Sequence, residues 1–277
     1  MARIVAGIGS SHAPTIGIAD DKGWHDQPAW KPLFDGYKPA RAWLEAQRPD
    51  LFIVIYNDHA NRFFFDAWPT LALGVGATHP QADEGWGKRN LSDVPGDPEF
   101  AWHLARSLVD DEFDPTICQD MALDHGVLSF LPLLTDRDWK VPVIPIAVNV
   151  IQHPIPTARR LFRLGTSIRR AVESFPADRR VAVMGTGGLS HQLHGARYGD
   201  LDQDWDRHFL DLLEANPEEL TRMPTQEWME RGGTEGVEMI LWLAMRSAMG
   251  DAVRRVERNY VVPTGTTGYG LLALAPG

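Results

Sequence analysis

Cysteine is almost absent. Cys118 stands alone in a chain of 277 residues, which excludes an intrachain disulfide and any site built from several thiolates. Metal chemistry would have to rest on histidine, aspartate and glutamate, and a single thiol fits a reducing, cytoplasmic setting. Missing too is any apolar run approaching the ~18 residues needed to span a bilayer. The segment from Met1 to His12 carries one charge and too short an apolar stretch for a secretory signal, so it reads as a first strand. Positive charge is scarce: a formal net charge of −10 argues against a nucleic-acid partner, because phosphate contacts need clustered Lys and Arg. The one basic cluster, Arg159, Arg160, Arg163, Arg169 and Arg170, recurs at helical spacing and reads as a solvated helix face. A dinucleotide fingerprint fails because Ser190 stands where the last glycine of G-x-G-x-x-G would fall after Gly185. No G-x-S-x-G surrounds Ser10, Ser11 or Ser190, which counts against a serine hydrolase.

What is present is an α/β pattern. Leu51 to Tyr56 is an uninterrupted apolar and aromatic run that reads as a strand buried on both faces of a largely parallel sheet, and it delivers Asn57, Asp58 and His59 at its carboxyl end. In open α/β sheets that edge is where ligands bind. Arg3 to Gly9 leads in the same way to Ser10-Ser11-His12, where Pro14 bars a helix through Ala13. Arg180 to Met184 opens into Gly185-Thr-Gly-Gly-Leu-Ser-His191, whose glycines let the backbone turn sharply beside a ligand.

Between these strands, Gly17–Gly36 reads as a covering loop, Tyr37–Gln47 as a helix, and Phe63–Phe65 and Leu71–Val75 as further strands. Thr78–Pro95 reads as a long irregular loop of the kind that is often functional. Asp97-Pro98 starts a helix to about Asp110, with Asp as N-cap and Pro in the first turn. Asp124 likewise caps a helix that begins at His125. Val141–Val150 is a strand pattern with irregular pairing expected at Pro142 and Pro145; Pro156–Phe175 is a long helix. The segment 202–250 is helical, and Val237, Ile240, Leu241, Ala244, Met245 and Ala248 form a core-facing stripe. Glu238 lies at the edge of that stripe and Glu235 points away from it. No linker or repeat interrupts the chain, so residues 1–277 are expected to form a single α/β domain, its central mostly parallel or mixed sheet flanked by helices on both faces.

His12, His59 and His191 thus follow strands, and Glu238 leans inward from a late helix. Two His and one carboxylate on one face of a metal leave three coordination positions open, the arrangement of non-haem Fe(II) oxygenases. Spacing alone leaves zinc as open as iron, including a zinc hydrolase with the same His2Glu site, or a metal-binding or interaction protein without oxygenase activity.

Several motifs carry a resemblance: Ser10-Ser11-His12, Tyr56-Asn57-Asp58-His59-Ala60, Ala82-Asp83-Glu84-Gly85-Trp86-Gly87, Asp124-His125-Gly126, Gly185 to Gln192, and Glu235-Gly-Val-Glu238. Together they resemble the class III extradiol ring-cleaving dioxygenases, most of all the catalytic β subunit of protocatechuate 4,5-dioxygenase and the gallate dioxygenases. The resemblance implies Fe(II) held by His12, His59 and Glu238, with His191 as acid/base and His125 hydrogen-bonded to a substrate hydroxyl. It implies extradiol cleavage of a catecholic hydroxybenzoate such as protocatechuate or gallate with O2. Val127–Leu131 and Thr264–Tyr269 differ from the protocatechuate pattern and are expected to line the pocket, with Thr264 and Thr267 binding substrate. Phe63–Asp66, Leu189 and His194 look more like the gallate-cleaving members. A small α-like lid subunit, or closure by dimerisation, is implied, hence a homodimer or heterotetramer. Asn57 and Asp58 are expected to orient His59 without ligating the metal themselves.

Overall fold

A computed structural model describes residues 1–277. Its frame is one mixed sheet of eight strands, in the order β6-β3-β7-β2-β8-β1-β10-β9. The strands are β1 (Arg3–Ser10), β2 (Leu51–Tyr56), β3 (Leu71–Gly74), β6 (Thr116–Cys118), β7 (Val143–Val148), β8 (Arg180–Thr186), β9 (Val253–Val261) and β10 (Tyr269–Pro276); β4 (Thr78–His79) and β5 (Val94–Pro95) form a separate small pair. The central strands β7, β2, β8 and β1 run parallel, while β10, β9 and the β3–β7 contact are antiparallel. The carboxyl ends of β2, β8 and β1 therefore lie side by side on one edge.

The run in β2 is apolar throughout because both faces are covered. Leu51, Ile53 and Ile55 join one core, Phe52, Val54 and Tyr56 the other. The first core is closed by α3 (Pro98–Asp110), α6 (Ala158–Ser174), α7 (Gln203–Ala215) and α10 (Leu241–Ala248). The second is closed by α1 (Pro14–Asp21), α2 (Lys31–Gln47), α4 (His125–Leu128) and α5 (Leu131–Leu134). Two further helices, α8 (Pro217–Leu220) and α9 (Thr225–Gly232), complete the chain. No helix is long and apolar enough to cross a membrane.

Asp97 caps α3 as expected, its carboxylate accepting the Phe100 N–H at 3.0 Å. Elsewhere the structure corrects the reading. Pro14 sits in the first turn of α1, so the supposed covering loop begins with a helix, and α2 starts at Lys31 and runs straight through Pro39. Phe63–Phe65 is not a strand: Phe63 is buried, but Phe64 and Phe65 are 54% and 64% exposed. β7 is a regular interior strand despite Pro145. Its pairing with β3 ends at Ile146–Leu73, so the missing N–H falls beyond the ladder, and a Cβ on Gly74 would sit 2.6 Å from the proline ring. The apolar stripe begins as a 3₁₀ turn over Gly236–Ile240 before α10 continues it.

Small residues let this turn approach the strand ends. A Cβ on Gly9 would lie 2.2 Å from Trp242, and one on Gly185 would lie 2.9 Å from the backbone of α10. Gly187 has φ +150, and its Cβ would meet Glu238 at 2.7–2.8 Å. Trp242 Nε1 donates to the Gly187 carbonyl at 3.2 Å. Without that close approach Glu238 would not reach the sheet edge.

Candidate metal centre and active site

His12 leaves β1, His59 leaves β2, and Glu238 enters from the 3₁₀ turn packed on the exit of β8. His Nε2 atoms of both imidazoles face the one carboxylate, His12 at 3.1 Å from Oε2 and His59 at 3.4 Å from Oε1. The ligand atoms of the three residues lie within 4.8 Å of one another. The other ring nitrogens are engaged: His12 Nδ1 lies 2.8 Å from Thr186 Oγ1, and His59 Nδ1 lies 3.0 Å from Asp124 Oδ2. Glu238 also accepts from Gly188 N at 2.8 Å and Asn57 Nδ2 at 2.9 Å.

This donor set suits a cation. A carboxylate only accepts, so Nδ1 of His59 carries a proton, and a neutral His59 ring would turn the lone pair of Nε2 toward Glu238. A lone pair aimed at an anion is repelled unless a proton or a metal cation lies between them. The titration behaviour expresses the same demand. Burial would lower the His59 pKa, but Asp124 and Glu238 outweigh it and push it up to about 10. Burial would raise Glu238, but His12 and His59 hold it well below the ordinary carboxylate range. For His12 burial prevails over Glu238 and the pKa is lowered. Metal ligands must be deprotonated, so a bound cation would replace the His59 proton. Two imidazoles and one carboxylate therefore fit a resident divalent metal with open positions.

The trio forms part of the wall of a cavity of about 710 Å³. His191 lines it from the β8 exit turn, with Nδ1 2.7 Å from the Leu189 carbonyl. A carbonyl can only accept, so Nδ1 is the donor and Nε2 is left for the cavity. His191 also bridges to Thr267, which is buried, while Thr264 sits farther out. His125 opens α4, and its ring lies 3.9 Å from that of His59, centroid to centroid, at 31°. No lysine or arginine lines the cavity.

Comparison with known proteins decides the family. The profile described as "Catalytic LigB subunit of aromatic ring-opening dioxygenase" matches residues 6–272. The chain belongs to that family. A gallate dioxygenase of Pseudomonas putida is 45% identical over 187 residues, covering 67% of this chain and 55% of the relative, so the chain spans about half of that protein's length. A 2,3-dihydroxyphenylpropionate/2,3-dihydroxicinnamic acid 1,2-dioxygenase of Rhodococcus is 26% identical over 90% of each chain. In fold, the LigB-family chain resembles the crystal structure of an uncharacterized protein from Escherichia coli K12, with a TM-score of 0.59, 14% identity, and coverage of 97% and 99%.

Residues singled out in the sequence land unevenly in this LigB-family site. His12, His59, Glu238, His125, His191, Thr264 and Thr267 all line the one cavity. Glu235, read as pointing away, sits at its rim and pairs with His194 at 2.6 Å. Asn57 Nδ2 lies 3.0 Å from Nε2 of His59, the nitrogen that faces Glu238, and so meets the ring on its metal-facing side. Asp58 does not reach the ring; its carboxylate takes the backbone N–H groups of Asn61, Arg62 and Phe63. The carboxylate behind His59 is Asp124, which accepts from its backbone N at 2.7 Å as well as approaching its ring. Asp124 read only as a helix cap, which occupies just Oδ1, through Gly126 N at 2.9 Å. The unused second oxygen, in the Asp124-His125-Gly126 motif, was the available signal. Thr186 left none, being one small residue in a strand.

Proposed function

We propose that the chain catalyses Fe(II)-dependent extradiol cleavage of a catecholic hydroxybenzoate, gallate or protocatechuate, with O2. The observation that carries this is the His12–His59–Glu238 trio in the wall of a cavity that also presents His191 and His125. Its support from likeness is the family match over residues 6–272 and the 45% identity to a gallate dioxygenase.

Bound Fe(II) would supply the centre at which catechol hydroxyls and O2 are brought together and redox chemistry becomes accessible. The chain's own residues do the rest. His12, His59 and Glu238 hold the metal, and Asp124 and Thr186 keep the two rings turned toward it. Nε2 of His191 takes a proton from a substrate hydroxyl and can return one as the ring opens, general acid–base help typically worth about 10²–10⁴ in rate. His125 hydrogen-bonds the hydroxylated edge of the ring. With no lysine or arginine in the wall, a benzoate carboxylate would meet the hydroxyls of Thr264 and Thr267 and the rim imidazoles. Ile151 and Leu193, 37% and 49% exposed beside the mouth, suit closure by a small α-like subunit or by a second protomer, in a homodimer or heterotetramer. A cytoplasmic location goes with this reading.

The test is O2 uptake by protein reconstituted with Fe(II) under anaerobic conditions and then given gallate, protocatechuate or 2,3-dihydroxyphenylpropionate. Consumption matched by ring-opened product is expected. Silence across the panel, with and without a partner subunit, would refute the reading. Stoichiometric zinc in anaerobically purified protein, together with hydrolytic activity, would replace iron by a His2Glu zinc hydrolase.

A further inference from the structure

The irregular stretch between β4 and β5 carries a carboxylate that the site described above does not use. Glu84 reaches His125 with both oxygens: Oε1 accepts the His125 backbone N–H at 3.0 Å, and Oε2 closes tightly on Nδ1 of the ring. Both side chains are 13% exposed, so water competes little for the contact.

Independent contacts hold the stretch in place. Arg89 pairs with Asp20 at 3.0 Å and with Asp21 at 2.6 and 2.8 Å, and donates to the Leu128 carbonyl. Arg137 pairs with the same two aspartates. The backbone around Glu84 is thus pinned to α1 and α4 without help from Glu84 itself.

The chemistry of the pair follows from what each atom can do. A carboxylate offers no proton, so Nδ1 facing it is the donor, and the neutral ring is left with a lone pair on Nε2. His125 forms part of the cavity wall. We propose that Glu84 is a positioning residue: by gripping the backbone N–H and Nδ1 of His125 together, it fixes the ring and presents Nε2 to the aromatic substrate as a hydrogen-bond acceptor. What sits against Nε2 rests on the proposed function; the tautomer and the grip do not.

Glu84→Gln separates this from mere loop packing. Glutamine keeps the shape but has one acceptor and one donor group. With its oxygen on the His125 backbone N–H, its NH2 faces Nδ1 and is satisfied only if the ring proton moves to Nε2. In 15N-histidine NMR of protein loaded with diamagnetic Zn(II), His125, assigned by its loss in His125→Ala, should show the Nδ1–H form, and Glu84→Gln should shift it toward Nε2–H. Metal content should not change. In turnover, Glu84→Gln should lower kcat/KM by about 10–100-fold, the scale of an outer hydrogen-bond partner, and should cost nothing further in a His125→Ala background. A wild-type Nε2–H form, an unshifted spectrum in Glu84→Gln, or penalties that multiply in the double variant would overturn the proposal. A wild-type protein inactive on every catechol would refute the ring-cleavage reading and leave the tautomer result to decide the role of Glu84.

Discussion

The exits of β1 and β2 deliver the same kind of ligand in two electrostatic settings. His12 is backed by a neutral hydroxyl, Thr186, and its pKa is lowered because burial outweighs Glu238. His59 is backed by Asp124, a buried carboxylate held below its ordinary range mainly by His59 against the opposing effect of burial, and the histidine's own pKa rises to about 10 despite burial. One imidazole is thus ready as a neutral ligand, whereas the other holds a proton that a metal must displace. The asymmetry places the pH sensitivity of metal uptake on the β2 side, and Glu238, shared by both rings, makes the centre a unit.

The largest effect should come from removing the shared member. Glu238→Ala leaves His12 and His59 facing each other without a carboxylate, and metal content after desalting should fall to background. Retention of stoichiometric metal would show that the trio is not the binding site. Next in size, Asp124→Asn should weaken metal affinity by about 10–100-fold in a chelator competition, as losses behind a ligating histidine generally do. Thr186→Val, on the other side, should cost less, because a neutral hydrogen bond is weaker than a charge-assisted one. Equal losses would erase the proposed asymmetry.

The pH prediction sharpens the same contrast. In protein stripped of metal, His59 has a folded pKa raised from 6.5 to about 10. Its contribution to stability is complete below about 6.5 and is lost as pH climbs through about 10. Glu238 and Asp124 are lowered, so their contributions are present above the ordinary carboxylate range and fade as pH falls. Thermal melts of stripped protein should therefore decline between pH 7 and 10, while metal affinity rises over the same range as the His59 proton is released. Asp124→Asn should flatten both curves. Unchanged curves in that variant would move the titrating group elsewhere.

How much of this was legible follows from the range of the interactions. β2 announced itself because a strand covered on both faces has no polar position, and the sheet order then brought His12, His59 and the β8 turn to one edge. The resemblance supplied the metal and the chemistry, which spacing had left between zinc and iron. What escaped depended on distant partners: Asp124 lies 65 residues from His59, and Glu84 lies 41 from His125. No local pattern marks such pairs. Pro145 misled because its tolerance depends on where the β3 ladder stops. Phe63–Phe65 misled because hydrophobicity cannot reveal that the chain is turning.

That turn is made by Asp58, which gives the smallest expected effect. Its carboxylate gathers the N–H groups of three successive residues, Asn61, Arg62 and Phe63, and burial together with the nearby Asp124 raises its pKa in spite of them. Asp58→Asn keeps an acceptor for part of that cluster and removes the like charge beside Asp124. Its cost should be about 1 kcal/mol, the scale of one hydrogen bond, read as a small drop in the melting temperature. Metal affinity should change far less than in Asp124→Asn, because Asp58 shapes the loop that leaves His59 and not the ring itself. Should Asp58→Asn lose its metal outright while Asp124→Asn keeps it, the two carboxylates would have to exchange roles, and the β2 exit would owe its raised histidine to the loop.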